Sequence, residues 1–196
     1  KEVEKVILEL NLEKIHLLGH SMGGYVSLAF AELFSDKLKS FTLFFSTYLA
    51  DDNEKKDRRT KSFRIIKDSF KHYVNSVIPN LFNPNEKDIL EGKMDFAKEV
   101  ALSTDNSGVL AAVKGLIERT DKLEILENLD SKILVICGKH DSAVNTEKTL
   151  AQLPDQTNIK SYILDCGHMG QLEKPVICAA IINTELLHDL PKHLVF

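Results

Sequence analysis

The sequence predicts an α/β fold, with a mostly parallel sheet, crossover helices and an inserted helical lid. Two observations lead to this prediction. Short apolar runs alternate with helical periodicity near both ends of the chain, which is typical of a parallel sheet. Between residues 46 and 120 the strand pattern disappears, and apolar residues recur only at helical spacing. The chain is therefore expected to divide into a first core part at 1–50, a lid at 51–120 and a second core part at 121–196.

The core is expected to contain four strands, each a short and mainly apolar run. These runs cover residues 14–19, 39–45, 132–137 and 158–165. Helices are predicted around them because apolar residues recur three or four positions apart. The first predicted core helix ends at Asn11. Two others cover residues 22–34 and 174–190.

The predicted lid begins with a charged stretch at 51–61, which is interpreted as a solvated loop or a helix start. One helix is expected to carry apolar residues from Phe63 to Val74, and two further helices follow it. The lid should lie over the edge of the sheet that carries the candidate site. Its aromatic residues favour a substrate with an apolar acyl or alcohol group; they include Phe63, Phe70, Phe82 and Phe96.

The composition excludes several classes of function. A net charge of -4 offers no basic face for nucleic acid or anionic lipid, and no apolar run approaches the length of about 20 residues that a transmembrane helix needs. Neither metal-ligand spacing nor a phosphate-binding glycine loop is present, so no metal or cofactor is predicted. The three cysteines favour a reducing compartment, and a cytoplasmic location is predicted.

The strongest chemical signal is a G-x-S-x-G pattern formed by Gly19, Ser21 and Gly23. It lies between a predicted strand and a predicted helix, the context in which this pattern marks a nucleophile. Added bulk at Gly19 or Gly23 is expected to clash with neighbouring backbone. Ser21 should lie at a helix N-terminus, where the Met22 amide can donate to an oxyanion. The alternative interpretation is a glycine-rich turn with an incidental serine.

A serine hydroxyl is a poor nucleophile without a neighbouring base, so the pattern requires a histidine. Among the seven histidines, His168 alone follows a predicted strand in a glycine-flanked loop. His20 is expected to point away from Ser21 and to support the turn, and His140 is expected to lie in a surface loop. Packing or solvent contact is predicted for His16, His188 and His193.

The imidazole needs an acid that fixes its tautomer. Asp141 follows the predicted strand at 132–137, at the same sheet edge as Ser21. Asp165 is the rival, but it belongs to the strand end directly before the His168 loop. Asp141 is therefore the predicted acid.

Together, the segments GHSMGG, ICGKHD and CGHMGQLEKP resemble the α/β-hydrolase superfamily, specifically its small, lidded carboxylesterase-like members. The resemblance covers the whole chain and implies the C-terminal half of an α/β-hydrolase sheet. It gives Ser21, Asp141 and His168 the roles of a catalytic triad. The Met22 amide becomes one oxyanion donor.

The sequence departs from the family before the nucleophile strand. Family members carry several strands there, and the loop after the third supplies a second oxyanion donor. The chain begins at Lys1 inside a helical pattern, so it is expected to be a piece of a longer protein. An N-terminal segment or another chain is expected to complete the sheet. Without it, the chain should be impaired as an enzyme and should not persist as a soluble monomer.

The resemblance implies hydrolysis of a carboxylic ester, a small and fairly apolar molecule, through an acyl-enzyme. A thioesterase, a lactonase or a C–C bond hydrolase could use the same three residues. The alternative from another class is a non-catalytic binding protein built on the hydrolase fold.

Overall fold

A computed structural model describes residues 1–187 of the chain. His188, His193 and the end of the predicted closing helix lie outside the described residues. The sheet contains four parallel strands in the order β1-β2-β3-β4. They are β1 (Ile15–His20), β2 (Leu38–Phe44), β3 (Lys132–Gly138) and β4 (Ile159–Leu164). The predicted α/β class and all four strands are confirmed, and no strand end is shifted by more than one residue.

Helices precede, connect and follow the strands. Helices α1 (Glu2–Glu9) and α2 (Met22–Phe34) lie before β2. Residues 51–120 contain α3 (Asn53–Asp68), α4 (Phe70–Val77), α5 (Lys87–Leu102) and α6 (Asn106–Glu118). Residues 121–187 contain α7 (Leu123–Asn128), α8 (Thr146–Ala151), α9 (Gly170–Glu173) and α10 (Pro175–Leu186). Short 3-10 turns occupy Ser35–Lys37 and Ile78–Leu81.

Apolar side chains cover the central strands on both faces of the sheet. On one face, Phe41 and Leu43 of β2 pack with Leu28 of α2 and Leu126 of α7. On the other face, Leu134 and Ile136 of β3 pack with residues of α10. Successive side chains of a strand point to opposite faces, so helices on both sides are needed to bury the continuous apolar runs of β2 and β3.

Strand β1 forms one edge of the described sheet and pairs only with β2. Ile15 and Leu17 are half-buried, and Leu18 is 38% exposed. The predicted pairing with the 39–45 run and the partial exposure of these side chains are therefore both found. The predicted instability of the isolated chain stays a prediction.

Between residues 51 and 120 the structure contains helices and no strand. One continuous helix from Phe63 to Val74 was expected, and that expectation is wrong. The chain breaks at Ser69, whose hydroxyl accepts a hydrogen bond from the His72 amide and begins α4. Serine competes for backbone donors in this way, which makes it a favourable N-cap. The lid boundaries stay a prediction.

Among the described helices, none combines the length and the apolar character needed to cross a membrane.

Candidate active site

Ser21 lies in a tight turn between β1 and α2, in a conformation that non-glycine residues rarely adopt. Its φ is 51° and its ψ is -117°. Two hydrogen bonds stabilise this backbone: the Ser21 amide donates to the Phe44 carbonyl at 3.0 Å, and the Ser46 hydroxyl donates to the Ser21 carbonyl at 2.7 Å. A strained conformation persists only where its surroundings determine it, and such sites concentrate where function requires them.

The glycines of this turn differ in the space around them. A methyl group on Gly19 would overlap the backbone of Gly23 and Gly24, as expected. The same expectation for Gly23 is wrong, because nothing lies within 4 Å of the position its Cβ would take. The second tight position is Gly24, where a Cβ would overlap the side chain of Ser46 in the loop that follows β2. The close approach of α2 to the sheet therefore involves Gly19 and Gly24.

The structure brings the three sequence-predicted site residues together. The Ser21 Oγ lies 2.7 Å from the His168 Nε2, and the His168 Nδ1 lies 2.7 Å from the Asp141 Oδ2. The side chains of His168 and Asp141 are 3% and 1% exposed. A proton on Nδ1 would be donated to Asp141, which leaves Nε2 free to accept the serine proton. The arrangement can therefore activate Ser21 as a nucleophile.

Asp141 is itself held in place by backbone donors. Its Oδ1 accepts hydrogen bonds from the amides of Ala143 and Val144, each at 2.8 Å. The loop after β3 thus fixes one carboxylate oxygen and leaves the other for the imidazole. Asp165, the rival acid, instead pairs with His140 at 2.9 Å and has a side chain that is 70% exposed.

The Met22 amide is the first N–H of α2, and Met22 is 45% exposed. Within residues 1–187 it has no hydrogen-bond acceptor, while the Ser21 amide is occupied by Phe44. A free N–H at the positive end of a helix dipole favours a developing negative charge beside Ser21.

His20 contacts the backbone of the predicted base. Its Nε2 lies 3.1 Å from the His168 carbonyl oxygen, and the two ring centroids are 5.2 Å apart. The side chain of His20 thus contacts the His168 loop, and its expected support of the Ser21 turn stays a prediction. Burial lowers the pKa of His20 below its ordinary value of 6.5, although the hydrogen bond to the His168 carbonyl acts in the opposite direction.

We expect His20 to make folding stability depend on pH. Its pKa is lower in the folded than in the unfolded chain, so its contribution is complete above pH 6.5 and is lost as the pH falls towards the folded pKa. The variant His20→Gln should show a smaller loss of the urea midpoint between pH 7 and pH 5 than the wild type. The variant His72→Gln, changed at an exposed histidine of α4, should behave like the wild type. If the urea midpoint fell equally between pH 7 and pH 5 in the wild type and in His20→Gln, His20 would not be a source of the pH dependence.

Sequence reasoning missed Glu173, which lies two residues before the first residue of α10, Pro175. Its side chain is buried, and the residue is 6% exposed. Its carboxylate accepts hydrogen bonds from the Gly167 amide at 3.0 Å and from the Asn83 amide at 2.9 Å. Glu173 therefore joins the His168 loop to the segment that follows the 3-10 turn Ile78–Leu81. No spacing in the sequence distinguishes it from an exposed glutamate.

A second connection joins the same two segments. The His168 amide donates to the Leu81 carbonyl at 2.7 Å. Gly167 lies so close to the backbone of residues 81–83 that a Cβ would approach the Asn83 nitrogen to 2.7 Å. We call residues 81–83, 167–168 and Glu173 the histidine clamp.

Sequence reasoning also missed a buried charge cluster. Asp51 belongs to the stretch interpreted as a solvated loop or a helix start. A helix does start there, at Asn53, but the Asp51 side chain is only 1% exposed. It pairs with Arg59 at 2.5 Å, Arg119 at 2.6 Å and Lys55 at 3.5 Å. Burial alone would raise the pKa of Asp51, but these cations together lower it. Arg119 also stacks on the Tyr25 ring, with 4.0 Å between its Cζ and the ring centroid.

The three cysteines take no part in the hydrogen bonds that join the Ser21, His168 and Asp141 side chains. Cys137, Cys166 and Cys178 are free and buried, and burial raises their pKa values to about 12, 12 and 11. Within residues 1–187, no group of three or more histidine, cysteine, aspartate or glutamate side chains could hold a metal ion.

The family model of the α/β-hydrolase fold matches residues 1–90, which include β1, the Ser21 turn and α2. A thermophilic esterase from Thermogutta terrifontis, solved with malate bound, superimposes with a TM-score of 0.85 at 28% identity; the match covers 93% of this chain and 68% of that one. This chain has the α/β-hydrolase fold.

Two further solved structures are similar at lower identity. An esterase from Exiguobacterium antarcticum gives a TM-score of 0.81 at 15% identity, with 93% of this chain and 70% of that chain covered. An enol-lactonase from Burkholderia xenovorans gives 0.83 at 19% identity, with 95% and 70% covered. No curated protein sequence matches this chain.

Proposed function

We propose that this protein is a serine hydrolase that cleaves a carboxylic ester through an acyl-enzyme. The observation that supports the proposal best is the continuous series Ser21 Oγ, His168 Nε2, His168 Nδ1 and Asp141 Oδ2, with 2.7 Å at each hydrogen bond. An incidental serine in a turn needs neither a buried imidazole nor a buried carboxylate behind it.

In the proposed reaction, Ser21 attacks the ester carbonyl while His168 accepts its proton through Nε2. Asp141 holds the imidazole in the required tautomer and stabilises the imidazolium that forms. The Met22 amide donates to the oxyanion of the tetrahedral intermediate. His168 then returns the proton to the departing alcohol, and the acyl group stays on Ser21. Water, activated by the same imidazole, releases the acid and restores the serine.

We further propose that residues 51–120 form the lid over Ser21 and provide most of the substrate pocket. The histidine clamp supports this, because it joins the end of the 3-10 turn at residue 81 to His168. The proposed substrate is a small and fairly apolar ester. A cytoplasmic location is proposed with it, supported by three cysteines that form no disulfide.

A fluorophosphonate probe tests the proposal, because only a serine activated by a neighbouring base reacts with it readily. We expect stoichiometric labelling of native protein, with the adduct found on Ser21 by peptide mass spectrometry. Protein unfolded in urea should not react, since unfolding separates Ser21 from His168. Labelling at another residue, or none in native protein, would favour the non-catalytic binding protein. Rates with matched esters, thioesters and lactones would then identify the preferred bond.

A further inference from the structure

A cavity of about 460 Å³ lies among α3, α4, α6 and the loop that follows β3. Ser142 and Ala143 form its floor, and the Ala143 amide is one of the two donors to Asp141. Leu81, whose carbonyl accepts from the His168 amide, forms part of its wall. The cavity therefore adjoins both the acid loop and the histidine clamp.

One wall of the cavity is cationic. Lys55, Arg58 and Arg59 line it, and none of the described residues lining it is acidic. Two nearby carboxylates are already engaged, because Asp51 holds Arg59 and Lys55 while Glu54 lies 3.4 Å from Arg58. Arg119 also pairs with Asp51, so four cations share these two carboxylates. This is a local concentration of cations, since the chain as a whole has a net charge of -4.

The cations retain donors that a ligand could use. The hydrogen bond from Arg59 to Asp51 uses Nε, and an arginine side chain has five N–H donors. Arg58 is held only by its pair with Glu54, in which the side chains are 65% and 81% exposed. Planar guanidinium groups suit carboxylates, which they bind through paired hydrogen bonds.

Much of the remaining lining is apolar. Val77, Leu81, Val113 and Leu116 contribute to it, together with Tyr73. A ligand that satisfies both kinds of side chain carries an anionic group and an apolar body. A neutral molecule of the same shape would leave the cationic side chains without a partner.

We propose that this cavity binds the carboxylate of a small amphipathic acid, with Arg58 and Arg59 contacting the carboxylate and the valine and leucine side chains contacting its apolar part. The ligand is either an ester substrate that carries a second, free carboxylate or a separate acid that binds beside the active site. The inference does not depend on the proposed hydrolysis, because the binding of an acid that contains no ester can be measured directly.

Isothermal titration of 4-phenylbutyrate and of 4-phenylbutan-1-ol tests the proposal, since the two probes differ chiefly in the carboxylate. We expect the acid to bind at least about fivefold more tightly, with its advantage reduced in 0.5 M sodium chloride. The variant Arg58→Gln should weaken binding of the acid about threefold. Its matched control is Arg64→Gln, which removes the same charge from an exposed position of α3 that does not line the cavity.

Equal affinity for acid and alcohol, or equal losses in the two variants, would overturn the proposal. Because Arg58 and Arg64 are both exposed, the two variant proteins should melt at the same temperature as the wild type. A loss of binding can then be separated from a loss of folding. Inhibition of p-nitrophenyl acetate hydrolysis by the acid then distinguishes the sources. Competitive inhibition assigns the cavity to the substrate, and non-competitive inhibition assigns it to a separate ligand. A protein that binds the acid but hydrolyses no ester would retain this site and refute the proposed hydrolase.

Discussion

Replacing Ser21 with alanine is expected to lower kcat/KM for ester hydrolysis by at least about 10⁴-fold. The substitution removes the oxygen that lies 2.7 Å from the His168 Nε2, and with it the covalent pathway. What remains is catalysis of direct water attack by the oxyanion donor and by substrate binding, which is small. Steady-state assays with p-nitrophenyl butyrate, supported by the loss of fluorophosphonate labelling, measure the effect.

The matched control for this substitution is Ser27→Ala. Ser27 lies on the same helix, but its hydroxyl donates to the Gly23 carbonyl at 2.8 Å and has no contact with His168. Its loss should leave kcat/KM within a few-fold of the wild type. Comparable activity in Ser21→Ala and the wild type would eliminate Ser21 as the nucleophile, and an equal loss in both variants would indicate a folding defect.

The second large effect is expected on stability, at Gly19. A methyl group there would press on the backbone of α2, which cannot turn aside as a side chain can. We expect Gly19→Ala to lower the free energy of unfolding by about 3 kcal/mol, the upper end of the usual range for overpacking. This is a large share of the total stability of an ordinary domain. Urea unfolding followed by circular dichroism measures it.

Gly23→Ala, in the same turn, is expected to change the free energy of unfolding in the opposite direction. A Cβ at Gly23 meets nothing within 4 Å, and the residue lies in the first turn of α2. Alanine is favoured over glycine in a helix, so the variant should be more stable by up to about 1 kcal/mol. If both variants were destabilised alike, the close approach of Gly19 to α2 would not be the cause.

The strands and the three site residues could be predicted because each depends on local sequence. Buried parallel strands are short apolar runs, and side chains that follow such runs meet at one sheet edge. This placed Ser21, Asp141 and His168 together before any distance was known. The helix from Met22 to Phe34 was predicted with both ends correct, because a glycine turn begins it.

What could not be predicted depends on contacts between distant segments. Asp51 lies in a charged stretch, and its buried carboxylate is paired by Arg119 at the end of α6 as well as by Lys55 and Arg59 of α3. Glu173 is buried because two amides from separate loops reach it. The tight packing at Gly24 arises from Ser46, which lies beyond the next strand. None of these partners can be inferred from neighbouring residues, since helical and strand periodicity carry no information about them.

The histidine clamp has a consequence for how a substrate would be admitted. The backbone that holds His168 is bonded to residues 81–83, so a displacement of that segment breaks the His168–Leu81 bond and the Asn83–Glu173 bond together. The alignment of the imidazole with Ser21 therefore depends on where residues 81–83 lie, although those residues are far from both Ser21 and His168 in the sequence.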